Sequence, residues 1–418
     1  MKTFSLGEKL KQMREAKGIS QVKLAEAIAY SASRLSQIEN DECPCQPDVL
    51  MAIKKALNLE GVPLYDVERQ GFKDKLYRWH SIISNGDIEN ASTMQAKLSD
   101  ITYLPFDTEL NALYNLFRCR MLLTARDTNA ATDILQNFEP LLPTLSSEVL
   151  YHYYYSMGLL CHITMRRKDA LEYYLQAKPH MMYGFEGNAV LQYNIATCLS
   201  NLGYIVASIL FLEDVRNIYA GGQVANISLR IDSMIGLGLI QLGQLAKAKI
   251  VLEKCYREAA EANDCTMLGI TLHNFGCLYR KAGDWNMSME YLNQAQFPKN
   301  STNYLENLYQ RTLCLVDMKC YAPCAELIAE GKEFSSGNKS YEILFRSVEC
   351  IISSDSKAIE YLENVTLPHF LGIGENMTAL DFCEFLREYF DKKGIVKKSG
   401  QMSEIARRIY KDMHGNPL

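Results

Sequence analysis

A helix-pair pattern recurs along most of this 418-residue chain and constrains its fold more than any other feature of the sequence. From residue 72 onward, pairs of apolar segments are joined by turns that return roughly every 34 to 40 residues, a spacing typical of helical hairpin repeats. Because the alternation typical of β-strands is almost absent here, we expect an all-α fold. The residues that mark the expected turns are Gly86, Ala125, Met165, Gly203, Gly243, Gly283, Lys319 and Ser353.

Small residues occupy two fixed places in this pattern. They indicate close approach of the two helices of a pair, because the side chains at a contact set the distance between packed helices. Five residues after each turn stand Ala91, Ala130, Ala170, Ser208, Ala248, Ser288, Cys324 and Ala358. Seven residues before the turn, the middle repeats have Gly158, Ala196, Gly236 and Gly276.

The periodicity resembles the tetratricopeptide repeat, with about eight units over residues 72–366. The resemblance implies a right-handed superhelix of helical hairpins whose first helices line a concave groove. Apolar residues at helical spacing in 376–414 predict a capping hairpin, because an array of repeats has an apolar end that must be covered.

A different pattern, in residues 18–40, predicts two short helices joined by a three-residue turn. A helix before them ends at Gly18, a further helix begins at Pro47, and residues 59–67 are expected to complete a five-helix domain. The residues expected to face inward are Leu24, Ala25, Ile28, Leu35 and Ile38. The outer face of the second helix carries Ser31, Ala32, Ser33, Ser36 and Gln37.

This second pattern resembles the Cro/repressor-like (XRE-type) helix-turn-helix family over residues 6–67. The resemblance implies that the second helix reads the major groove of DNA. It also implies an ion pair between Arg14 and Glu39. The base-reading positions are occupied by Ala32, Ser33 and Gln37, and the phosphate-contacting positions by Gln21, Arg34 and Asn40.

The charge and the cysteine content of the chain indicate its cellular compartment and limit the kinds of partner that we expect. The net charge of −5 is unusual for a DNA-binding protein, so we expect modest intrinsic DNA affinity that depends on local contacts and dimerisation. There is no signal-peptide pattern and no apolar run long enough to cross a membrane, which predicts a cytoplasmic protein with no membrane partner. The thirteen cysteines then predict reduced thiols, and Cys43-Pro44-Cys45 is interpreted as a tight loop.

Ligand contacts in tetratricopeptide repeats cluster nine and thirteen residues before the turn. At those places Asn194, Asn274 and Gln310 predict a ladder of amides that holds an extended peptide by its backbone. Arg230 is expected to bind a carboxylate, and Met234 to form part of an apolar pocket. The neighbouring candidates, one residue before the amides, are Tyr193, His273 and Tyr309.

The combination of the two patterns resembles the peptide-sensing regulators of Gram-positive bacteria, the Rgg/Rap/NprR/PlcR/PrgX (RRNPP) family. The resemblance implies a homodimer that binds a double-stranded DNA operator and is switched by a short signalling peptide. The expected domains are a helix-turn-helix domain in 1–68, a repeat domain in 69–366 and a C-terminal helical cap in 367–418.

Two other functions stay open at this point. The repeats could instead bind a protein, either a response regulator or phosphorelay protein, or an antirepressor. Catalysis is not expected, because no phosphate-binding loop, metal-spaced His/Cys set or nucleophile elbow is present, and no cofactor is implied.

Overall fold

The computed structural model describes residues 4–59, 66–99, 107–185, 187–219, 225–299 and 301–413. All regular secondary structure in these ranges is helical, which confirms the expected all-α fold. The chain forms two compact units, Met1–Thr164 with Tyr173–Met182 and Met165–Glu172 with Tyr183–Leu418. These units do not follow the expected limits after residues 68 and 366, and those limits stay a prediction.

The first unit begins with four short helices whose ends are set by local side-chain caps. Ser5 and Glu8 form a capping box on the first helix, and the side chain of Ser20 caps the second. Pro47 starts the fourth, where its missing N–H costs nothing. The expected fifth helix falls largely on residues 60–65, outside the described residues. The four helices are α1 (Leu6–Ala16), α2 (Gln21–Ala27), α3 (Ala32–Glu39) and α4 (Pro47–Ala56).

Helical hairpins follow in the same unit. Many of their buried side chains belong to one apolar cluster that also contains the core of α1 to α4. Short 3₁₀ turns lie at Glu139–Thr144 and Lys178–His180. The helices are α5 (Asp66–Ser84), α6 (Ile88–Ser99), α7 (Thr108–Thr124), α8 (Thr128–Gln136), α9 (Ser147–Ile163) and α10 (Arg167–Ala177), the last of which contributes residues to both units.

The second unit continues the hairpins and ends in a further pair. The second helix of its last repeat is interrupted by a π-helical turn at Leu362–Thr366. The helices are α11 (Gly187–Asn201), α12 (Ile205–Tyr219), α13 (Ala225–Gln241), α14 (Leu245–Glu261), α15 (Cys265–Lys281), α16 (Trp285–Gln294), α17 (Thr302–Asp317), α18 (Tyr321–Phe334), α19 (Lys339–Ser353), α20 (Ser356–Tyr361), α21 (Leu367–Ile373), α22 (Asn376–Lys392) and α23 (Val396–Met413). The hairpin α22–α23 is the predicted cap, with Phe382, Leu386, Phe390, Met402 and Ile409 buried.

The predicted turns are confirmed by the backbone. Six of the eight marked residues have a positive φ, including the non-glycine residues Met165 (63°) and Lys319 (58°). At the other two turns the residue with positive φ directly follows the marked one: Arg126 follows Ala125, and Ser354 follows Ser353. The turn geometry is therefore kept even where no glycine supplies it.

The two places for small residues meet each other inside a helical hairpin. The hydroxyl of Ser208 donates to the carbonyl of Ala196, and that of Ser288 to the carbonyl of Gly276, both over 2.8 Å. A Cβ atom at Gly276 would lie only 2.4 Å from the side chain of Leu292. The predicted close approach of the paired helices is confirmed, and larger residues at these places would push the helices apart.

Candidate DNA-binding and peptide-binding sites

The recognition helix α3 has one buried and one exposed side. Leu35 and Ile38 are buried, as predicted. The opposite side exposes four of the residues expected to meet DNA: Ser33, Arg34, Gln37 and Asn40. Ser36 lies between them and is half-buried. The exposed side chains include an amide and a guanidinium that suit base and phosphate contacts.

Three other residues of the predicted DNA-binding set have contacts within the protein. Ser31 is the N-cap of α3 and accepts from the backbone N–H of Arg34. Ala32 is half-buried and packs against the core. The Gln21 amide, expected at a phosphate, donates to Glu39 Oε2 over 2.9 Å. Gln21 is therefore part of a buried polar network, and its contact with DNA stays a prediction.

The predicted Arg14–Glu39 ion pair is confirmed. Arg14 Nε and Nη2 donate to the two carboxylate oxygens of Glu39 over 2.7 and 2.8 Å. The side chains are only 8% and 1% exposed, and the hydrogen bond to Glu39 raises the pKa of Arg14. Arg14 Nη1 also donates to the carbonyl of Ile19, so the pair fixes α1 and the start of the motif to the end of the recognition helix.

The cysteine loop after α3 has no feature of a reactive or metal-binding site. Cys43 and Cys45 are free and half-buried, and burial raises the pKa of the Cys45 thiol. A raised pKa keeps the thiol protonated and unreactive. Across the described residues, no cluster of His, Cys, Asp and Glu side chains could hold a metal ion.

A pocket of about 410 Å³ opens on the first helices of successive hairpins in the second unit. It brings together five of the eight residues predicted to bind peptide: Tyr193, Arg230, Met234, His273 and Asn274. They come from α11, α13 and α15, which are the helices that a tetratricopeptide-like array turns toward its groove. The remaining lining residues are Ser233, Leu237, Thr266, Met267, Ile270, Phe297, Asn303 and Glu306.

The polar groups of this pocket are held in place by one another. Asn274 is 4% exposed, and its Nδ2 donates to Ser233 Oγ over 2.9 Å. Burial lowers the pKa of His273, which therefore lies neutral beside Asn307 and Cys277. Burial also raises the pKa of Tyr193, against the opposing effect of Arg230, so its hydroxyl stays a donor.

Three predicted peptide-binding residues do not line this pocket. Gln310 donates to Glu306 Oε1 over 3.0 Å and accepts from Arg280 over 3.4 Å. Tyr309 packs against the apolar cluster of the C-terminal helices, edge-on to Phe345. Asn194 is half-buried on α11. The predicted amide ladder is therefore not continuous here, and only Asn274 of its three members lines the pocket.

Three of the lining residues that we did not predict lie one helical turn from residues that we did predict. Ile270 precedes Asn274 by four residues, Leu237 follows Met234 by three, and Glu306 precedes Gln310 by four. Residues three or four apart share a helix face. This spacing was the available signal for them.

The corresponding positions on α9, in the first unit, are closed. His152 and Ser156 are 3% and 2% exposed. The Tyr77 hydroxyl donates to Glu148 over 2.6 Å and lies 3.1 Å from His152 Nε2. Burial lowers the pKa of His152 to about 3. These positions therefore form a core and not a ligand surface.

Comparison with known proteins agrees with both patterns. A family model described as a helix-turn-helix domain matches residues 5–64. Over 404 residues the chain is 22% identical to the transcriptional activator NprA of Geobacillus stearothermophilus, covering 92% of this chain and 98% of that protein.

Two solved structures have the same fold. One is a Rap protein complexed with competence and sporulation factor, with a TM-score of 0.71 and 15% identity, covering 82% of this chain and 98% of that one. The other is NprR in complex with its cognate peptide NprX, with a TM-score of 0.68 and 21% identity, covering 81% and 99%.

The fold and the two candidate sites define a helix-turn-helix protein with a tetratricopeptide-like array. Over most of its length the chain is similar to the transcriptional activator NprA, and in fold it is similar to the Rap and NprR structures. None of the described helices is long and apolar enough to span a membrane.

Proposed function

We propose that the protein is a cytoplasmic transcriptional regulator whose repeat array binds a short signalling peptide and thereby changes how a homodimer binds DNA. The observation that carries the proposal is the pocket on α11 to α17, in which a cation, a buried amide, a neutral imidazole and apolar side chains converge. The relatives support it, because NprA is named as a transcriptional activator and NprR has been solved with a peptide bound.

The pocket has the chemistry that an extended peptide requires. The bond to Ser233 uses Nδ2 of Asn274 and leaves Oδ1 as the acceptor for a peptide N–H. Arg230 is exposed at the pocket and provides a bidentate partner for a carboxylate. Met234 and Ile270 supply apolar contacts for a side chain of the ligand.

The DNA contacts follow from α3. In a homodimer, two recognition helices enter major grooves of half-sites about one or two helical turns apart. A peptide can shift such a dimer between two arrangements only by the difference in its affinity for them. We assign no reaction and no cofactor to the chain.

The test is calorimetric titration of the full-length protein with short synthetic peptides that can lie extended in the concave groove of stacked repeats. The peptides come from the C-terminal ends of small secreted open reading frames beside the gene. We expect micromolar or tighter binding that is lost in Arg230→Ala and in Asn274→Ala. The matched control is Lys247→Ala, an exposed residue on α14 outside the pocket.

Arg230→Ala is the sharper of the two variants. Arg230 is exposed, whereas Asn274 also links α15 to α13 through Ser233, so its loss affects stability as well. Failure of every adjacent peptide to bind, with operator binding intact, would overturn the peptide proposal. It would instead favour a groove for a protein partner, such as a response regulator, phosphorelay protein or antirepressor.

A further inference from the structure

We infer that the ligand of this pocket is a peptide of two opposite charges, with an acidic group at Arg230 and a basic group, either a lysine or arginine side chain or the terminal ammonium, at Glu306. The inference rests on the proposed function, because it concerns the ligand of the same pocket.

The two charges occupy equivalent places on different hairpins. Arg230, Ile270 and Glu306 lie thirteen residues before the turns marked by Gly243, Gly283 and Lys319, on α13, α15 and α17. All three line the pocket. They form a row in which a cation and an anion are separated by an apolar residue.

Neither charge is neutralised by an ion pair within the described part of the chain. Glu306 accepts from the hydroxyl of Tyr341 over 2.8 Å and from the amide of Gln310 over 3.0 Å, and both of these donors are neutral. The nearby Arg280 pairs with Asp317. The carboxylate is therefore fixed in position by neutral donors while its charge stays available to a ligand.

Opposite charges at the Arg230 and Glu306 ends of the pocket favour a single orientation of the bound peptide. A peptide with an acid at the Glu306 end or a base at the Arg230 end would place like charges together, which is unfavourable in a partly desolvated pocket. Ile270, which stands between the two charges in this row, favours an apolar residue in the middle of the peptide.

The spacing of the helices sets the expected distance between the two charged groups of the peptide. Packed helices lie about 8–10 Å apart, so α13 and α17 are separated by roughly 16–20 Å across α15. An extended chain advances at most about 3.3–3.6 Å per residue. The two charged groups of the ligand should therefore stand about four to six residues apart.

The experiment uses a random library of synthetic heptapeptides, in free-acid and C-terminally amidated forms, captured on the full-length protein and identified by mass spectrometry. With the native protein we expect about three- to tenfold enrichment of peptides with an acidic and a basic group at this separation. Amidation removes the enrichment if the acidic group is the terminal carboxylate and leaves it unchanged if the group is an acidic side chain.

Charge reversal tests each end separately. Arg230→Glu should select a base where the native protein selects an acid, and Glu306→Lys should select an acid where it selects a base. Because Glu306 also binds Tyr341 and Gln310, Glu306→Gln is a second variant that should lose the preference for a base without reversing it. The control is Lys247→Glu, on the exposed side of α14.

The outcomes separate the two proposals. Capture of no peptide at all would overturn the proposed function. Capture of peptides without paired charges, or with a charge pattern that Arg230→Glu and Glu306→Lys leave unchanged, would overturn only the present inference.

Discussion

Arg167 and Glu375 form an ion pair across 208 residues of sequence, with Arg167 Nε 3.0 Å from Glu375 Oε1. Beside it, Asn376 Nδ2 donates to the carbonyl of Leu202 over 2.8 Å. A Cβ atom at Gly203 would lie within 2.8 Å of the Met413 side chain, so the last helix also packs against this turn. The C-terminal hairpin thus covers the end of the array and also returns to the first residues of its own unit.

We expect the Arg167–Glu375 pair to contribute measurably to the stability of the second unit. Burial raises the pKa of Glu375, and Arg167 opposes this rise because its positive charge stabilises the carboxylate. The substitution Arg167→Glu removes that stabilisation and places a second carboxylate beside Glu375. The loss should be about 1–3 kcal/mol, between the values for exposed and buried pairs. Urea unfolding followed by circular dichroism measures it.

The charge-swapped protein, Arg167→Glu with Glu375→Arg, should recover most of that stability. Arg407→Glu is the control, because Arg407 is 68% exposed in its pair with Glu404 and its loss should change little. Equal destabilisation by the single and the swapped variants would mean that packing, and not charge, makes this contact.

Glu39→Ala should damage the DNA-binding part far more than its position at the end of a short helix suggests. The substitution leaves Arg14 buried without its carboxylate and removes the acceptor of Gln21. Breaking one side of a buried pair costs about 3–5 kcal/mol. Calorimetric unfolding and operator titration should both register the change, whereas the exposed neighbour Glu42→Ala should leave both unaltered.

Two exposed residues of α3 should have different effects on DNA binding. Gln37→Ala should cost about 1–3 kcal/mol at one base pair and relax specificity there. Arg34→Ala should weaken binding to all DNA sequences alike. It should also make the affinity less dependent on salt concentration, by the equivalent of about one phosphate contact. Anisotropy titrations of operator variants at several salt concentrations distinguish them. Uniform weakening by Gln37→Ala would show that it does not read a base.

Local features of the fold were predictable from the sequence, because they depend on nearby residues. The turns are an example: Met165 and Lys319 adopt the left-handed conformation at places marked only by spacing. The pocket was predictable in part for the same reason, since a fixed place on each first helix gave Arg230 and Asn274.

Contacts between distant elements could not be predicted in this way. The position of Gln21 on α2 suits a phosphate contact, but its observed partner Glu39 is brought to it by the packing of α2 against α3. The spacing of Gln310 predicts a place in the ladder, but its amide is bound by Glu306 and Arg280. The Arg167–Glu375 contact depends on the path of the whole second unit, which no local pattern encodes.

The stability of the first unit should fall as the pH falls below neutral, and His152 should be one cause. Burial lowers its folded-state pKa to about 3, and the charges of Arg120 and Lys73 act in the same direction. In the unfolded chain the pKa is near the ordinary value of about 6.5. Between these values the unfolded chain binds a proton that the folded unit does not, so the contribution is fully present above pH 6.5 and is lost toward pH 3.

Between pH 6.5 and pH 5 the titration of His152 should lower the free energy of unfolding of the first unit by about 2 kcal/mol, at about 1.36 kcal/mol for each pH unit. His152→Gln retains a partner for Tyr77 and should make the pH dependence shallower by that amount. Trp79 is fully buried in the first unit and Trp285 lies in the second, so in a Trp285→Phe background the fluorescence reports on the first unit. Buried His80 acts in the same direction and should account for some of the dependence that persists. Parallel stability curves for the protein with and without His152→Gln would contradict the prediction, since they would mean that His152 titrates alike in the folded and unfolded states.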